Sequence, residues 1–303
     1  MNAPVVLFVY SRYDHTKEVL YALSKNDEAR NSDLYIFSDA AKNDAAVEKV
    51  RHVRDLIHDP IWKDCFQNVY IIERDRNFGL AKSIITGVSD ILKKYKKVIV
   101  IEDDSVSMPG FLTYMNQALD FYKKNNKIWS IGGYSFLRQS DFPSIYSDEV
   151  YVIQRTCSYA WATWIDRWEM VDWMVEDYNK FKWNFISRYK FNCVGNNHAV
   201  MLDAQMKGRI DSWAIRFCYS MFKNNMLTIY PRWSYIRNIG EDGTGVHFNK
   251  KRNSVKTPLD IAQKKEISLT DVSEDKLITK AFAKHPAVHL SPLKLLFKYI
   301  KNR

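Results

Sequence analysis

Apolar runs alternate with amphipathic stretches through the first half of the chain. Residues 5–10 form an almost unbroken apolar run, as expected of a strand covered on both faces. Val19, Leu20, Ala22 and Leu23 then mark the inner side of a helix. Residues 34–37, 69–72 and 98–101 read as three further strands. Between the last two, Ile84, Ile85, Val88, Ile91, Leu92 and Tyr95 keep the three-and-four spacing of an amphipathic helix. Pro109 opens another helix, with Phe111, Leu112, Met115, Leu119 and Tyr122 on its apolar side, and residues 128–131 form a strand before Gly132-Gly133. This alternation predicts an α/β fold with a mostly parallel sheet flanked by helices. Ligands of such sheets sit at the carboxyl ends of the strands, where Ser38-Asp39 and Glu102-Asp103-Asp104 fall.

The pattern changes after residue 135. Short strands are expected at 150–153 and 227–230, and seven of the nine tryptophans lie between Trp161 and Trp233. A glycine-spaced segment, Gly240-Glu-Asp-Gly243-Thr-Gly245-Val-His247, follows. The expected division is a body at 1–248, with a nucleotide-binding half to about residue 135 and an acceptor-side half at 136–248, then a basic tail at 249–303. Ser291-Pro292 starts a helix over about 291–301 in that tail. Leu293, Leu296, Phe297 and Ile300 lie on one side of it, and Lys294, Lys298 and Lys301 form a separate stripe. Such a helix suits either an anionic membrane surface or docking on the body with its lysines in water.

Composition narrows the class. With 46% hydrophobic and 26% charged residues, the 303-residue chain is neither disordered nor fibrous. It has no run approaching the roughly 18 apolar residues of a membrane span. The first residues lack the basic and apolar zones of a signal peptide, and Cys65, Cys157, Cys193 and Cys218 form no C-x-x-C pair, so a cytoplasmic protein without disulfides is expected. The net charge of +10 is concentrated late: residues 249–256 carry four cations and the last 21 residues carry five, neither stretch with an acid. That placement argues for a membrane surface as the polyanionic partner and against nucleic acid.

Glu102-Asp103-Asp104 is the strongest chemical signal. Three carboxylates directly after a buried strand repel one another and are costly to desolvate without a cation. Mn²⁺ or Mg²⁺ answers this with one or two carboxylate ligands, completed by phosphate oxygens and water. An exposed acidic turn is the plain alternative. No glycine-rich dinucleotide or P-loop pattern follows the first strand. The histidines other than His247 have no metal-ligand spacing.

Taken in order with Asn77-Phe-Gly-Leu-Ala-Lys82, Ser107-Met-Pro109-Gly-Phe111, the tract at 156–168 and Asp211-Ser-Trp213, the triplet resembles the GT-A glycosyltransferases. The likeness is to the inverting branch typified by N-acetylglucosaminyltransferase I and its bacterial relatives, over roughly residues 5–247. The resemblance implies a GT-A, Rossmann-like fold and transfer from a nucleotide-diphosphate sugar, UDP-linked and with UDP-GlcNAc a candidate, to a glycan or lipid-linked glycan in bacterial surface polysaccharide synthesis. It implies Arg12 and Asp39 around the nucleotide base, Asn77 and Lys82 on the donor side, Asp103 toward the ribose or donor sugar and Glu102 toward sugar hydroxyls. Asp104 is the implied direct metal ligand and Asp211 the implied catalytic base. Gly245 and His247 match a segment closing over the diphosphate, and His247 is also a candidate second metal ligand. Ile210 departs from the eukaryotic pattern, which has an aromatic there, and His247 replaces a small polar residue. Among the tryptophans, Trp161 and Trp213 are expected at an acceptor groove, the others in the core. A sugar-phosphate nucleotidyltransferase and a non-catalytic glycan-binding protein are the competing functions. A triphosphate loop normally brings glycine after the first strand, and Ser11-Arg12-Tyr13-Asp14 has none.

Overall fold

The computed structural model describes residues 1–240 and 260–301. The alternating first half folds as β1 (Val5–Val9), α1 (Tyr13–Ser24), β2 (Asp33–Ser38), α2 (Asp44–Ile57), β3 (Asn68–Glu73), α3 (Leu80–Tyr95), β4 (Lys97–Glu102), β5 (Ser105–Ser107), α4 (Phe111–Phe121) and β6 (Ile128–Gly132). Then come β7 (Val150–Ile153), β8 (Ala160–Trp164), α5 (Ile165–Glu169), α6 (Tyr178–Trp183), α7 (Phe185–Phe191), α8 (His198–Met206), α9 (Trp213–Lys223), β9 (Leu227–Pro231), β10 (Ile236–Asn238), α10 (Lys276–Lys284) and α11 (Pro292–Lys301).

Eight strands form one mostly parallel sheet in the order β3-β2-β1-β4-β8-β6-β9-β7. The β3-β2-β1-β4 and β6-β9 neighbours run parallel, whereas β8 is antiparallel to both β4 and β6, and β7 to β9. Because successive strand residues face opposite ways, Val5, Leu7 and Val9 join α1 and α4 in one apolar layer. Val6 and Phe8 join Ile84, Val88, Ile91 and Leu92 of α3 in the other. The expected α/β architecture is therefore present, with helices on both faces.

The long tail expected from residue 249 onward does not stay apart from the body. Within 260–290 the chain returns to it: Ser234 pairs with Ile261 in a parallel bridge, and the Tyr122 hydroxyl donates to the Thr270 carbonyl at 2.5 Å. Asp260 accepts from the Gln139 amide at 2.6 Å, and Glu149 takes the Ser268 amide and the Lys264 ammonium, both at 2.7 Å. Ile278 and Phe282 of α10 are buried with Phe136, Tyr151 and Tyr230. Ile278 and Phe282 lie four apart, the spacing of one helix side, within a helix only nine residues long that is flanked by lysines. The helix expected over about 291–301 is α11. No helix among the described residues is long and apolar enough to cross a membrane, and all four cysteines are free thiols.

Candidate functional site

The loops after β1, β2 and β4 share one end of the sheet, because these strands are immediate neighbours spaced roughly 4.8 Å apart. Arg12 caps α1 just after β1, and it meets the acidic triplet at the end of β4. Its Nη2 pairs with Asp103 Oδ1, its Nε donates to Asp103 Oδ2 at 3.3 Å, and Nη2 also reaches Asp104 Oδ2 at 3.0 Å. Burial would lower the Arg12 pKa, but the two carboxylates outweigh it and hold the guanidinium more firmly charged than usual. Its Nη1 is buried without a hydrogen-bond partner among the described residues.

One guanidinium does not balance three carboxylates. The formal charge of Arg12 with Glu102, Asp103 and Asp104 is +1 − 3 = −2. Burial, then the charges of Asp104 and Asp103, push Glu102 well above the ordinary carboxylate range. Burial also raises Asp103, against the pull of Arg12. A site that disfavours its own charged forms this way is short of positive charge.

Asp104 is the most accessible member of the Arg12–aspartate cluster, with 19% of its side chain exposed against 8% for Asp103. Ser105 Oγ and Asn238 Nδ2 both donate to its Oδ1 at 3.3 Å, and its carbonyl takes the Ile239 amide at 2.8 Å. The β5–β10 ribbon thus brings the 236–240 segment onto the triplet. Gly240 lies so close that a Cβ there would overlap the Asp104 carboxylate, so this position admits only glycine without movement. Gly245 and His247, expected further along this segment, lie outside the described residues. Among the described residues no three His, Cys, Asp or Glu side chains form a closed metal cage. The donor set nonetheless fits a hard divalent ion: all-oxygen ligands, a deficit of positive charge and one partly exposed carboxylate, which is the number such ions take from protein beside phosphate and water.

The second part of the site is built by Asp39, after β2. Its Oδ1 accepts the Phe78 amide at 2.9 Å, and its Oδ2 accepts the Phe78 and Gly79 amides at 3.1 Å each. Asn77 donates from Nδ2 to the Ala40 carbonyl at 2.7 Å. Both residues therefore fasten the 77–79 loop to the end of β2. Gly79 has φ +73°, and this turn sets the start of α3. Asp211 Oδ2 lies 3.4 Å from the Ala81 amide, which puts Asp211 against that helix start. The Asp211 side chain is 61% exposed and its Oδ1 is 3.9 Å from Arg216 Nη2, while the cap of α9 is supplied by the next residue, Ser212, which accepts from Ile215 at 3.3 Å. Lys82 is exposed, with Nζ 4.8 Å from the centre of the Phe78 ring.

Trp161 and Trp213, expected at an acceptor groove, are instead core residues at 0% and 2% exposure. Their rings stack at 4.7 Å, with Trp168 at 5.7 Å and Phe217 at 5.4 Å from Trp161. Trp161 lies on β8, in the middle of the sheet, and Trp213 opens α9, which packs over it, so neither ring reaches water. The aromatics that do approach the acidic end were missed. Tyr159 immediately precedes Ala160, which pairs with Ile101, one residue before Glu102. Tyr134 meets it edge-on at 5.0 Å, and both rings are only partly buried. Position directly after a glycine pair (Tyr134) and directly before a strand (Tyr159) was the available signal. Arg74 and Arg76, whose guanidinium carbons lie 4.6 and 5.7 Å from the Phe78 ring centre, were also missed beside Asn77.

No family model matches the chain, and no curated protein matches it. Among solved structures, S. aureus TarS 1–349 is similar at 12% identity and a TM-score of 0.44, over 80% of this chain and 62% of that one. GalNAc-T7, in a structure with UDP, GalNAc and Mn²⁺, is similar at 10% identity and a TM-score of 0.47, over 77% of this chain and 42% of that one. The chain thus corresponds to less than two thirds of the length of either.

Proposed function

We propose that the chain is a metal-dependent, inverting glycosyltransferase that moves a sugar from a nucleotide-diphosphate donor, UDP-linked, to a hydroxyl of a glycan or glycolipid. One observation carries this reading: an under-neutralised carboxylate triplet shares the ligand-binding end of a largely parallel sheet with a solvent-facing carboxylate, Asp211. Asp104, joined by His247, is the proposed holder of Mn²⁺ or Mg²⁺. The bound ion would supply Lewis-acid stabilisation of the departing diphosphate. Asp103 and Glu102 face the ribose and donor sugar. Arg12 orients the two aspartates and borders the base, and Asp39 with Asn77 shapes the loop on the nucleotide side.

In this reading Asp211 accepts the proton of the attacking hydroxyl, a contribution of about 10²–10⁴-fold. Its exposure leaves room for an acceptor. Arg216, whose charge burial disfavours, is the cation that balances it. Tyr134 and Tyr159 replace Trp161 and Trp213 as the rings available to the CH faces of a sugar. A nucleotidyltransferase is less well supported, because Arg12, the only cation of the loop after β1, is already committed to Asp103 and Asp104. Peripheral attachment to an anionic membrane through α11 completes the proposal: Leu293 and Phe297 are exposed beside exposed Lys294 and Lys298.

Incubation with UDP-, GDP- and dTDP-sugars and Mn²⁺ tests the reaction. Slow release of nucleoside diphosphate from one donor, with inverted anomeric configuration by NMR, is expected. Release of pyrophosphate from a nucleoside triphosphate and sugar phosphate would replace this reading with the nucleotidyltransferase.

A further inference from the structure

Helices α6 and α7 form a short hairpin that is apolar on both sides. Its inner side is explained: Phe181 and Phe191 are buried with Tyr219 and Leu202. Its outer side carries Trp183, Phe185, Ile186 and Tyr189, which are 66%, 72%, 70% and 76% exposed. Four large apolar side chains within seven residues form a patch of a kind that soluble surfaces rarely leave uncovered.

Within the hairpin itself the charges are of one sign, with exposed Glu176 two residues before it. Between Tyr178 and Leu202 the chain contains Lys180, Lys182, Arg188 and Lys190 and no acid. Arg188 is used internally, in a two-bond pair with Asp203 of α8 at 2.8 and 2.7 Å. Asp177, just before the hairpin, is paired with Lys223 at 2.9 Å. Lys180 and Lys190 are left exposed, and the ammonium of Lys182 lies 5.0 Å over the Trp183 ring. Tryptophan and tyrosine beside lysine, over an apolar surface, match the chemistry of a lipid interface. The rings suit the headgroup layer, and the lysines suit anionic headgroups.

We propose that the outer side of the α6–α7 hairpin is a membrane-contact surface for anionic lipid, in addition to α11. The fold gives the surface a direction. His198 at the start of α8 meets the Phe191 carbonyl at 3.1 Å, and Arg188 meets Asp203 further along, so α7 and α8 run antiparallel. The tip bearing Trp183 and Phe185 therefore points toward the end of α8 that leads to Asp211. The bilayer would lie on the side of the molecule that holds Asp211, where a lipid-linked acceptor can reach it. The lipid contact itself does not depend on the reaction assigned to the acidic site. α11 also packs on α8, and just before it Asn196 exchanges two hydrogen bonds with Leu290, at 2.9 and 2.7 Å.

Co-sedimentation of the full chain with equimolar phosphatidylglycerol and phosphatidylcholine vesicles tests the proposal. Wild-type protein is expected to bind these vesicles and to bind phosphatidylcholine alone at least tenfold more weakly. The triple variant Trp183→Ser, Phe185→Ser, Ile186→Ser is expected to lose at least tenfold in binding, with its thermal melt unchanged. Lys182→Gln with Lys190→Gln should lose about 30-fold on the anionic vesicles. Brominated lipid should quench the fluorescence of wild type, and Trp183→Phe should abolish most of that quenching while still binding. This readout stands even if the triple variant folds poorly. Equal binding by wild type and the triple variant, with loss only on deleting residues 291–303, would overturn the hairpin contact. So would absence of wild-type binding, or a triple variant that changes self-association in sedimentation velocity and leaves vesicle binding intact.

Discussion

Strands β4 and β8 are hydrogen-bonded neighbours, and each carries a segment whose composition points to function. They are resolved in opposite ways. β4 runs through the core with Val98, Val100 and Ile101 fully buried, and places Glu102, Asp103 and Asp104 at and beyond its end. β8 keeps its notable residue inside the ladder, with Trp161 opposite Val100. Carboxylates cannot be hidden without a compensating charge, so their presence after a buried strand forces an opening, a cation or a shifted pKa. Tryptophan carries no such obligation. Its ring gains from burial, and even a buried indole N–H is tolerated here: Trp161 Nε1 has no hydrogen-bond partner among the described residues. A cluster of acids is therefore a strong functional sign, whereas a cluster of tryptophans reports first on the core.

The widest separation between the two strands should come from Asp104→Ala. Loss of about 10⁴-fold in kcat/KM, about 5.5 kcal/mol, is expected, because the proposed ligand to the ion is removed. The melting temperature should stay the same or rise, since one of three mutually repelling carboxylates disappears. Addition of Mn²⁺ with UDP should raise the melting temperature of wild type and leave that of the variant unmoved. Normal turnover by Asp104→Ala would break the metal assignment. Asp211→Asn comes next, with a loss of about 10³-fold in kcat and retained UDP affinity by calorimetry. Lost nucleotide affinity would instead make Asp211 part of the donor cradle, through its position against Gly79 and Ala81.

Trp161→Ala should give the converse result on the neighbouring strand. A buried ring stacked against Trp213 and Trp168 is removed, so a stability loss of about 3–5 kcal/mol is expected by denaturant unfolding. Specific activity of the protein that remains folded should be within a few-fold of wild type. A variant that folds normally but loses acceptor affinity would return Trp161 to the groove.

The same contrast accounts for what could be read in the sequence. β1, β2, β4 and β6 were legible because a parallel strand covered on both faces is an unbroken apolar run, and α3 because one of its sides is dry and the other wet. β8 was not read as a strand. Ala-Trp-Ala-Thr-Trp is buried throughout, so no alternation appears, and the tryptophans drew attention to chemistry. The site followed the same rule. Glu102 to Asp104 announced themselves by charge, but the partners of Asp104, namely Ser105 and Asn238, come from strands three residues long that have no periodicity to detect. Asp39 stands out by its position after a strand, and its fastening of the Phe78 and Gly79 amides depends on a fold that brings together residues 39 and 40 positions apart.

A finer test asks how the aromatic half deals with a titratable group. The acidic end sets the charged guanidinium of Arg12 against its aspartates, whereas His198, buried at the start of α8, is stacked on Phe191 at 4.6 Å. Burial, and then the charge of Arg155, hold its pKa well below the usual histidine value, so it is neutral in the fold. The unfolded chain binds a proton at about pH 6.5 and the folded chain does not. The stability contributed by neutral burial is therefore fully present above about pH 6.5 and is lost as pH falls toward the depressed folded value. The slope should approach about 1.4 kcal/mol per pH unit for this one proton. Urea unfolding of wild type and His198→Gln between neutral pH and pH 5 measures it: the wild-type curve should fall more steeply, by up to one proton. Parallel curves would mean that His198 gains its proton without leaving the core, and that the aromatic half can hold a charge as the acidic end does.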